Sequence, residues 1–432
     1  MSSEYGYQIP LEFIANENGA LAGDLERDCE CLQEGLRRWG LLARADTDLE
    51  RLAEQVSRLD VAIPIWGFSL EEAAGGRFSI PGLPGDIFEA LVDASALHRL
   101  AGTARGLVLR LPENRLDDPH RLLDFAKPLG LGFDAVDPDI SRDPPGQAWS
   151  YRFGALGHTD PQIRALAVTL CLECLETGKA LGAEALAVSL EGIADSAGRV
   201  HFRRCLDRTI GGLREVHEAL PESWRMFIQT TVQDWGTASF AAAALGEKAQ
   251  CLLDPAAIPG IAPAEAVARM VQAAKLGGLC LGTGSAPAGG LPGPFTLFLA
   301  FLEIIDAESD REVDKKFFRP TFRLLPGRSD GLQRDPIEDF LQALDEVWKA
   351  WARALLVDRS ALATCQGRND AAGAELILKA AFDTDVRPIV RRARLLKGAA
   401  IDPVGAWRRS RYRDEKARER KGNGNGHREG GR

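Results

Sequence analysis

The sequence predicts an α/β fold, namely a (β/α)8 TIM barrel with extra N-terminal helices and a C-terminal helical extension. Eight short apolar runs alternate with helix-length segments, and this alternation is typical of a parallel sheet. Eight alternations are also the number that a closed barrel requires, and 432 residues suffice for one barrel with additional helices. Several of the runs end on a polar side chain, as expected where strand ends surround the mouth of a barrel.

The N-terminal segment, residues 1–60, is predicted to be helical and to pack outside the barrel. Residues 21–42 and 47–59 carry apolar side chains at three- and four-residue spacings, which is the pattern of an amphipathic helix. The barrel itself is predicted over residues 61–335. Its strands are expected at residues 62–66, 106–111, 132–137, 184–190, 226–229, 250–254, 278–282 and 321–325.

The C-terminal extension, residues 336–407, is predicted to contain two long amphipathic helices over residues 336–359 and 370–394. Residues 408–432 are basic at first, then rich in glycine, asparagine and arginine, and they carry almost no apolar side chains. A segment of this composition cannot bury enough apolar surface to offset the entropy that is lost when the chain becomes ordered. It is therefore predicted to be a disordered tail.

The bulk composition argues against several classes of function. A net charge of -9 and a pI of about 5.4 disfavour nucleic-acid binding, which needs a concentrated basic surface. No apolar run approaches the roughly 18 residues of a membrane span, and the first residues lack the pattern of a secretory signal. Eight cysteines are too few for a disulfide scaffold in a chain of this length. The expected protein is cytoplasmic and has neither a membrane nor a nucleic acid as a partner.

Three charged residues at or near predicted strand ends are candidates for acid–base chemistry. Asp254 ends the sixth strand and Glu191 follows the fourth, so the two could act as paired carboxylates across the barrel mouth. Arg110, near the end of the second strand, could stabilise an oxyanion or bind a carboxylate. The alternative for Glu191 is a solvated charge in a loop.

Candidate metal ligands are scarce in the sequence. Cys280, on the seventh strand, could ligate zinc together with Asp254 and Cys251, but strand alternation places Cys251 and Asp254 on opposite faces. The simpler interpretation of Cys280 is a small buried side chain. The glycine-rich residues 277–290 are interpreted as a collapsed loop, with anion binding as the alternative. No histidine lies at a predicted strand end; the six are His98, His120, His158, His201, His217 and His427.

Seven segments, in order along the chain, carry a family resemblance. They include Asp-Trp-Gly-Thr at residues 234–237 and Asp-Pro-Val-Gly-Ala-Trp at residues 402–407, and the others are residues 63–67, 88–102, 294–298, 354–359 and 384–388. Together they resemble the bacterial L-rhamnose isomerases of the xylose-isomerase-like superfamily. The resemblance implies a (β/α)8 barrel, usually a homotetramer, that interconverts an aldose and a ketose. It also implies two divalent metal ions, typically manganese, that polarise the oxygen atoms of the sugar.

The chain departs from this family at most of the metal ligands that the resemblance implies. The metal-ligating glutamate at the end of the fifth strand corresponds to Gln229, whereas the aspartate of the sixth strand is matched by Asp254. One carboxylate cannot hold two divalent ions. The remaining ligand positions lack a matching side chain and fall on Ala257, Cys280, residues 288–291 and Arg328, with Asp330 close to the last.

Positions on the substrate side of the family pattern have changed as well. A histidine of the second strand corresponds to Arg110, a tryptophan of the fourth to Ser189, and a lysine after the fifth to Thr231, whereas Trp66 of the first strand is retained. The candidate site is therefore Trp66, Ser189 and Glu191 for substrate binding and Asp254, Gln229 and Arg110 for catalysis.

The hypothesis that follows is a sugar-isomerase-like barrel that has lost its dinuclear metal site and has no metal-ligating residues and no cofactor. Such a protein would be impaired as an aldose–ketose isomerase and retained for binding a small sugar, or for assembly with itself or with an active relative. A second hypothesis is a metal-independent isomerase, epimerase or lyase that acts on a small polyol or sugar acid through Asp254, Arg110 and Glu191. A third is a metal-dependent isomerase whose ligands lie elsewhere in the sequence.

Overall fold

The structure of the protein is a computed structural model. It describes residues 6–38, 48–68, 81–111, 118–143, 148–190, 200–229, 235–255, 263–282, 293–308, 321–325 and 335–424.

Eight strands form one sheet in which each strand pairs in parallel with the next along the chain. This order is the one that a barrel built from repeated strand–helix units produces. The strands are β1 (Ile63–Pro64), β2 (Gly106–Leu111), β3 (Gly132–Pro138), β4 (Ala185–Ser189), β5 (Arg225–Gln229), β6 (Ala249–Leu253), β7 (Leu276–Gly282) and β8 (Thr321–Leu325).

The sheet closes on itself through one residue in front of β1. The backbone N–H of Ala62 donates to the carbonyl of Phe322 at 2.7 Å, and the N–H of Leu324 donates to the carbonyl of Ala62 at 3.0 Å. These two bonds join the residue before β1 to β8, so that the first and last strands meet and the barrel is nearly closed. The predicted (β/α)8 fold class is therefore confirmed.

A helix follows each strand and packs on the outside of the barrel, between the strands and solvent. These helices are α3 (Ile87–Ala101), α4 (Pro119–Ala126), α5 (Pro161–Leu181), α6 (Phe202–Glu218), α7 (Trp235–Leu245), α8 (Pro263–Gln272), α9 (Gly293–Glu308) and α10 (Pro336–Leu356).

Aspartate residues fix where four of these helices begin. The carboxylates of Asp86, Asp118, Asp160 and Asp335 accept hydrogen bonds from backbone N–H groups in the first turns of α3, α4, α5 and α10. Those N–H groups have no acceptor within the helix, so the aspartates supply one. Because each helix follows the end of a strand, these N-termini lie on the same side of the barrel as its mouth.

Seven further helices lie outside the barrel in the part of the chain that the structure describes. Two precede β1, namely α1 (Leu11–Arg38) and α2 (Leu49–Ser57), and five follow α10, namely α11 (Arg359–Gly367), α12 (Ala371–Asp383), α13 (Arg387–Leu396), α14 (Pro403–Ser410) and α15 (Tyr412–Gly424). None of the helices in the described ranges combines the length and the apolar character that a bilayer span requires.

The single helix predicted over residues 370–394 is two helices in the structure. Thr384 after α12 has an extended backbone conformation (φ -68°, ψ 131°), and Pro388 lies in the first turn of α13. Proline lacks the N–H that a continuous helix would need and disfavours helical backbone in the residue before it. The apolar periodicity continues across this break, which is why the pattern alone does not show it.

The prediction of a disordered tail is wrong for residues 408–424. They complete α14 and form α15, and Tyr412 is fully buried. The prediction rested on the scarcity of apolar side chains in this segment. In the structure Arg413 and Arg420 are instead mostly buried and paired with carboxylates. Residues 425–432 lie outside the described ranges.

The contacts of α15 converge on one buried carboxylate, that of Asp93 on α3. Its side chain is 1% exposed and accepts hydrogen bonds from Tyr412 Oη at 2.9 Å, Arg413 Nη1 at 2.8 Å and Arg420 Nη2 at 2.9 Å. Arg413 also pairs with Asp335, the residue that begins α10, at 2.5 Å. We call these five residues the Asp93 cluster. The cluster joins the first and last barrel helices through the C-terminal helix.

We expect the substitution Asp93→Asn to lower the free energy of unfolding by about 3 kcal/mol, because it leaves two buried arginines with one carboxylate fewer. Chemical denaturation monitored by circular dichroism measures this change. The matched control is Asp24→Asn, since Asp24 pairs with Arg27 on the exposed surface of α1, where an ion pair contributes less than about 1 kcal/mol. Equal effects of the two substitutions would contradict a structural role for the Asp93 cluster.

Candidate functional site

The interior of the barrel is lined by a small cluster of mostly small side chains, separate from the main core between strands and helices. The cluster consists of Ala62, Val108, Ala135, Ala185, Ala187, Phe227, Leu252 and Cys280, with Trp66 packed against it. These residues identify the inward-facing positions of the strands. Because side chains alternate along a strand, the residue two positions further on also faces inward, closer to the mouth.

Applied to β2, β3, β4, β5 and β6, this alternation gives an inward-facing polar side chain at or just after the end of each strand. In the sheet Arg110 lies opposite Asp137, and Ser189 lies opposite Gln229. We call these five side chains, together with the aromatic residue that precedes them in the chain, the mouth residues; they are Trp66, Arg110, Asp137, Ser189, Gln229 and Asp254.

Trp66 contacts Arg110 directly. The guanidinium carbon of Arg110 lies 3.8 Å from the centroid of the Trp66 ring, which is the geometry of a cation–π contact. Trp66 was predicted to end the first strand, but β1 stops at Pro64 and Trp66 lies in a short 3₁₀ helix, Ile65–Phe68. This turn brings the indole back against the barrel interior.

Asp137 is a mouth residue that the site prediction missed. It is 5% exposed and follows Ala135 on β3 at the inward-facing spacing. The carboxylates of Asp137 and Asp254 both contribute to raising the pKa of Cys280, so both lie within electrostatic range of that thiol. A signal was present in the sequence, because Asp137 ends the third predicted strand just as Asp254 ends the sixth.

Of the predicted site residues, Glu191 lies outside the described residues. The same is true of other positions discussed for the sequence, namely Thr231, Ala257, residues 283–292, Arg328 and Asp330. The candidate site therefore consists of the predicted residues Trp66, Arg110, Ser189, Gln229 and Asp254, with Asp137 added.

The mouth residues do not fit a pair of manganese ions. Manganese prefers carboxylate, carbonyl and imidazole ligands, and a dinuclear site needs several of them. Asp137 and Asp254 are the carboxylates here, and Gln229 offers a neutral amide. Among residues whose positions are described, no group of three or more His, Cys, Asp or Glu side chains is arranged to hold a metal ion.

The described histidines make contacts within helices and turns instead. His98 Nδ1 lies 2.8 Å from the carbonyl of Thr103, and His158 Nδ1 accepts a hydrogen bond from the N–H of Asp160 at 2.9 Å. His201 is the N-cap residue of α6. None of these described imidazoles belongs to a group of side chains arranged to hold a metal ion.

Cys280 is a buried thiol in the barrel interior. Burial raises its pKa to about 12, with Arg323 lowering the pKa and the two mouth carboxylates raising it. The alternative zinc site required Cys251 as a further ligand, but Cys251 belongs to the main core on the other face of β6. The predicted interpretation of Cys280 as a small buried side chain agrees with this position.

Two known proteins are similar to the chain over nearly its whole length. It is 38% identical over 428 residues to a probable sugar isomerase of Rhizobium meliloti (strain 1021), with 95% of this chain and 96% of that protein covered. It is 37% identical, with the same coverage, to a probable sugar isomerase of Mesorhizobium japonicum. No family model matches the sequence.

Among solved structures, a D-psicose 3-epimerase of Clostridium cellulolyticum H10 is similar to this chain at a TM-score of 0.49 and 14% identity. The similarity covers 68% of this chain and 99% of the epimerase. A xylose isomerase domain protein of Planctomyces limnophilus is similar at a TM-score of 0.43 and 11% identity, with 61% and 92% covered. Similarities of this size carry no statement about function.

The thiol environments predict an order of chemical modification. At pH 8 a thiol with a pKa of about 12 is ionised to roughly one part in ten thousand, and the thiolate is the reactive form. We therefore expect iodoacetamide to modify the exposed Cys31 first in the folded protein and to modify Cys171, Cys251 and Cys280 only after unfolding. Mass spectrometry of the digested protein measures the order. Rapid modification of Cys280 in the folded state would contradict the closed interior described above.

Proposed function

The chain belongs to the family of the probable sugar isomerases of Rhizobium meliloti and Mesorhizobium japonicum, and from this membership we propose that it binds a small sugar at the mouth of the barrel without forming a dinuclear metal site. The mouth is the end of a (β/α)8 barrel at which ligands bind and reactions occur. In this proposal the mouth residues bind the sugar.

The chemistry of the mouth residues supports a polyhydroxylated ligand. Each sugar hydroxyl can both donate and accept a hydrogen bond. Arg110 supplies donors, Asp137 and Asp254 supply acceptors, and Ser189 and Gln229 supply both. Trp66 adds an aromatic surface beside them. A few convergent polar groups in a largely apolar lining are typical of a small-molecule site, and a cluster of apolar side chains packs in the interior below the mouth.

We propose the lack of a dinuclear metal site because of the residues at two positions, Gln229 and Cys280. Where the resembled L-rhamnose isomerases place a glutamate and a histidine, this chain places a neutral amide and a buried, protonated thiol. Neither offsets the charge of a divalent ion, and the positions described in the mouth offer only two carboxylates. We therefore propose that aldose–ketose isomerisation by the two-metal route is impaired, and that the protein is retained for sugar binding or for assembly with itself or an active relative.

A second candidate function is a metal-independent isomerase or epimerase. It is favoured by Asp137 and Asp254, which lie on either side of the mouth and both act electrostatically on Cys280. One carboxylate would remove a proton from the carbon beside a carbonyl, and the other, protonated, would return a proton to carbon or oxygen. Arg110 would stabilise the oxyanion of the intermediate.

For the binding proposal, we expect isothermal titration calorimetry to detect binding of L-rhamnose or a related aldose in the presence of EDTA. The substitution Asp254→Asn should weaken that binding about tenfold or more, because a hydrogen bond to a charged group contributes about 1.5–3 kcal/mol. The control is Asp207→Asn, whose carboxylate lies on the exposed surface of α6. An unchanged affinity in Asp254→Asn would contradict the assignment of the mouth.

For the question of catalysis, we expect no aldose–ketose turnover that depends on added Mn²⁺. Chromatographic measurement of the sugar products with Mn²⁺ and with EDTA separates the possibilities. Manganese-dependent turnover would contradict the proposal. Turnover in EDTA that is lost in both Asp137→Asn and Asp254→Asn would favour the second candidate function instead.

A further inference from the structure

The connection from β1 to α3 carries a mouth residue at one end and contacts the C-terminal helix at the other. It begins with the 3₁₀ helix that holds Trp66, and its described part ends with residues 81–86, directly before α3. In a (β/α)8 barrel the segments that follow the strands surround the mouth. The contacts of residues 81–86 are therefore relevant to the candidate site.

Residues 81–86 have little apolar surface with which to pack. Their sequence is Pro-Gly-Leu-Pro-Gly-Asp, and Leu83, its one large aliphatic side chain, is only partly buried. Proline has no backbone N–H, and glycine loses more conformational freedom on ordering than any other residue. Polar contacts with neighbouring elements therefore supply most of what orders this segment.

Two arginines of α15 donate to one backbone carbonyl in this segment. Arg413 Nη1 donates to the carbonyl of Gly82 at 2.6 Å, and Arg420 Nη1 donates to the same oxygen. The two arginines are seven positions apart, so they lie on the same face of the helix, about two turns from each other. Ala417 lies between them on that face.

Gly82 brings its backbone against that of α15. Its φ of 83° is in the left-handed region, and a Cβ atom there would lie 2.7 Å from the N atom of Ala417 and 2.9 Å from the carbonyl oxygen of Arg413. Both of these atoms belong to the helix backbone and cannot move aside as the end of a side chain could. The contact between this segment and α15 therefore requires a glycine at position 82.

Arg420 also contacts the first turn of α3. Its Nη2 donates to the carbonyl of Glu89 at 3.2 Å, and its Nε lies 3.1 Å from Glu89 Oε2. The same Oε2 atom accepts a hydrogen bond from the backbone N–H of Gly85 at 2.8 Å. Arg420 Nη2 donates to Asp93 as well, within the Asp93 cluster. One guanidinium thus fixes the end of the connection relative to α3 and α15.

The other described end of the connection is held by α10. Phe68, which ends the 3₁₀ helix of Trp66, is buried, and its ring centroid lies 5.2 Å from that of Phe340. Arg413 pairs with Asp335, the residue that begins α10. The unit of α10 and α15 therefore holds both described ends of the connection.

We propose that Arg420 is a positioning residue for the sugar site, and that α15 acts on the mouth through it. The proposal rests on the proposed function, because it takes the sugar to bind at the mouth. A segment that is already ordered loses less conformational entropy when a ligand binds, and this raises the affinity for the ligand. Arg420 supplies that order from outside the barrel, without contacting the sugar.

The test measures the affinity for L-rhamnose by calorimetry in EDTA. We expect Arg420→Met to weaken binding about tenfold or more, because binding must then order the connection. Arg420→Lys should restore part of the affinity, because lysine keeps the charge with fewer hydrogen-bond donors. Two control variants should retain the wild-type affinity. Arg418→Met removes an exposed arginine of the same helix, and Arg394→Met lowers the stability by removing a buried arginine that pairs with Asp345 on α10.

Hydrogen exchange without ligand supplies a measurement that does not depend on the sugar. Arg420→Met should accelerate exchange of the backbone amides in residues 82–90 and leave that of β2 unchanged. Gly82→Ala tests the same contact from the other side, since its methyl group would meet the backbone of α15. It should give the same faster exchange and weaker binding. The matched control is Gly182→Ala, because Gly182 also has a positive φ, 72°, but no described atom lies within 4 Å of a Cβ atom there.

The possible results separate this inference from the proposed function. If the wild-type protein does not bind L-rhamnose, the proposed binding of this sugar and this inference are both overturned. If it binds, and Arg420→Met and Gly82→Ala bind equally tightly, only this inference is overturned. A loss of affinity in Arg394→Met as large as that in Arg420→Met would reflect a general loss of stability and would also overturn it. Arg420→Lys and Gly82→Ala decide the question if Arg420→Met does not fold.

Discussion

Two backbone hydrogen bonds of Ala62 bring the ends of the strands together around one candidate site. They connect β1 to β8 and convert eight strands into a ring. In an open sheet the ends of the first and last strands would be far apart, whereas closure brings all eight to one mouth. Strand alternation then decides which side chains face it. Arg110, Asp137 and Gln229 meet for this reason although they come from separate parts of the chain.

The same junction is reinforced on the outside of the barrel. The helices next to β1 and β8 are α3 and α10, and the Asp93 cluster ties them together through α15. The C-terminal extension therefore holds the seam of the barrel with buried charges, each offset by a partner.

Much of the fold could be predicted from the sequence, because apolar runs of strand length and helical periodicity report local structure directly. Five of the six predicted site residues have described positions, and period-two alternation explains why Arg110, Ser189, Gln229 and Asp254 face the mouth, whereas Trp66 reaches it from a 3₁₀ helix. The sequence did not show that α15 is ordered, since its charges are stabilised by residues more than 300 positions away, such as Asp93.

We propose above all that the mouth of this sugar-isomerase-family barrel does not hold a pair of divalent ions. Titration of the purified protein with Mn²⁺, followed by electron paramagnetic resonance, tests it most directly, because protein-bound manganese loses the six-line signal of the free ion. We predict that the free-ion signal rises from the first addition. The account would be contradicted if the first two equivalents of Mn²⁺ gave no free-ion signal and gave instead the spectrum of a coupled manganese pair.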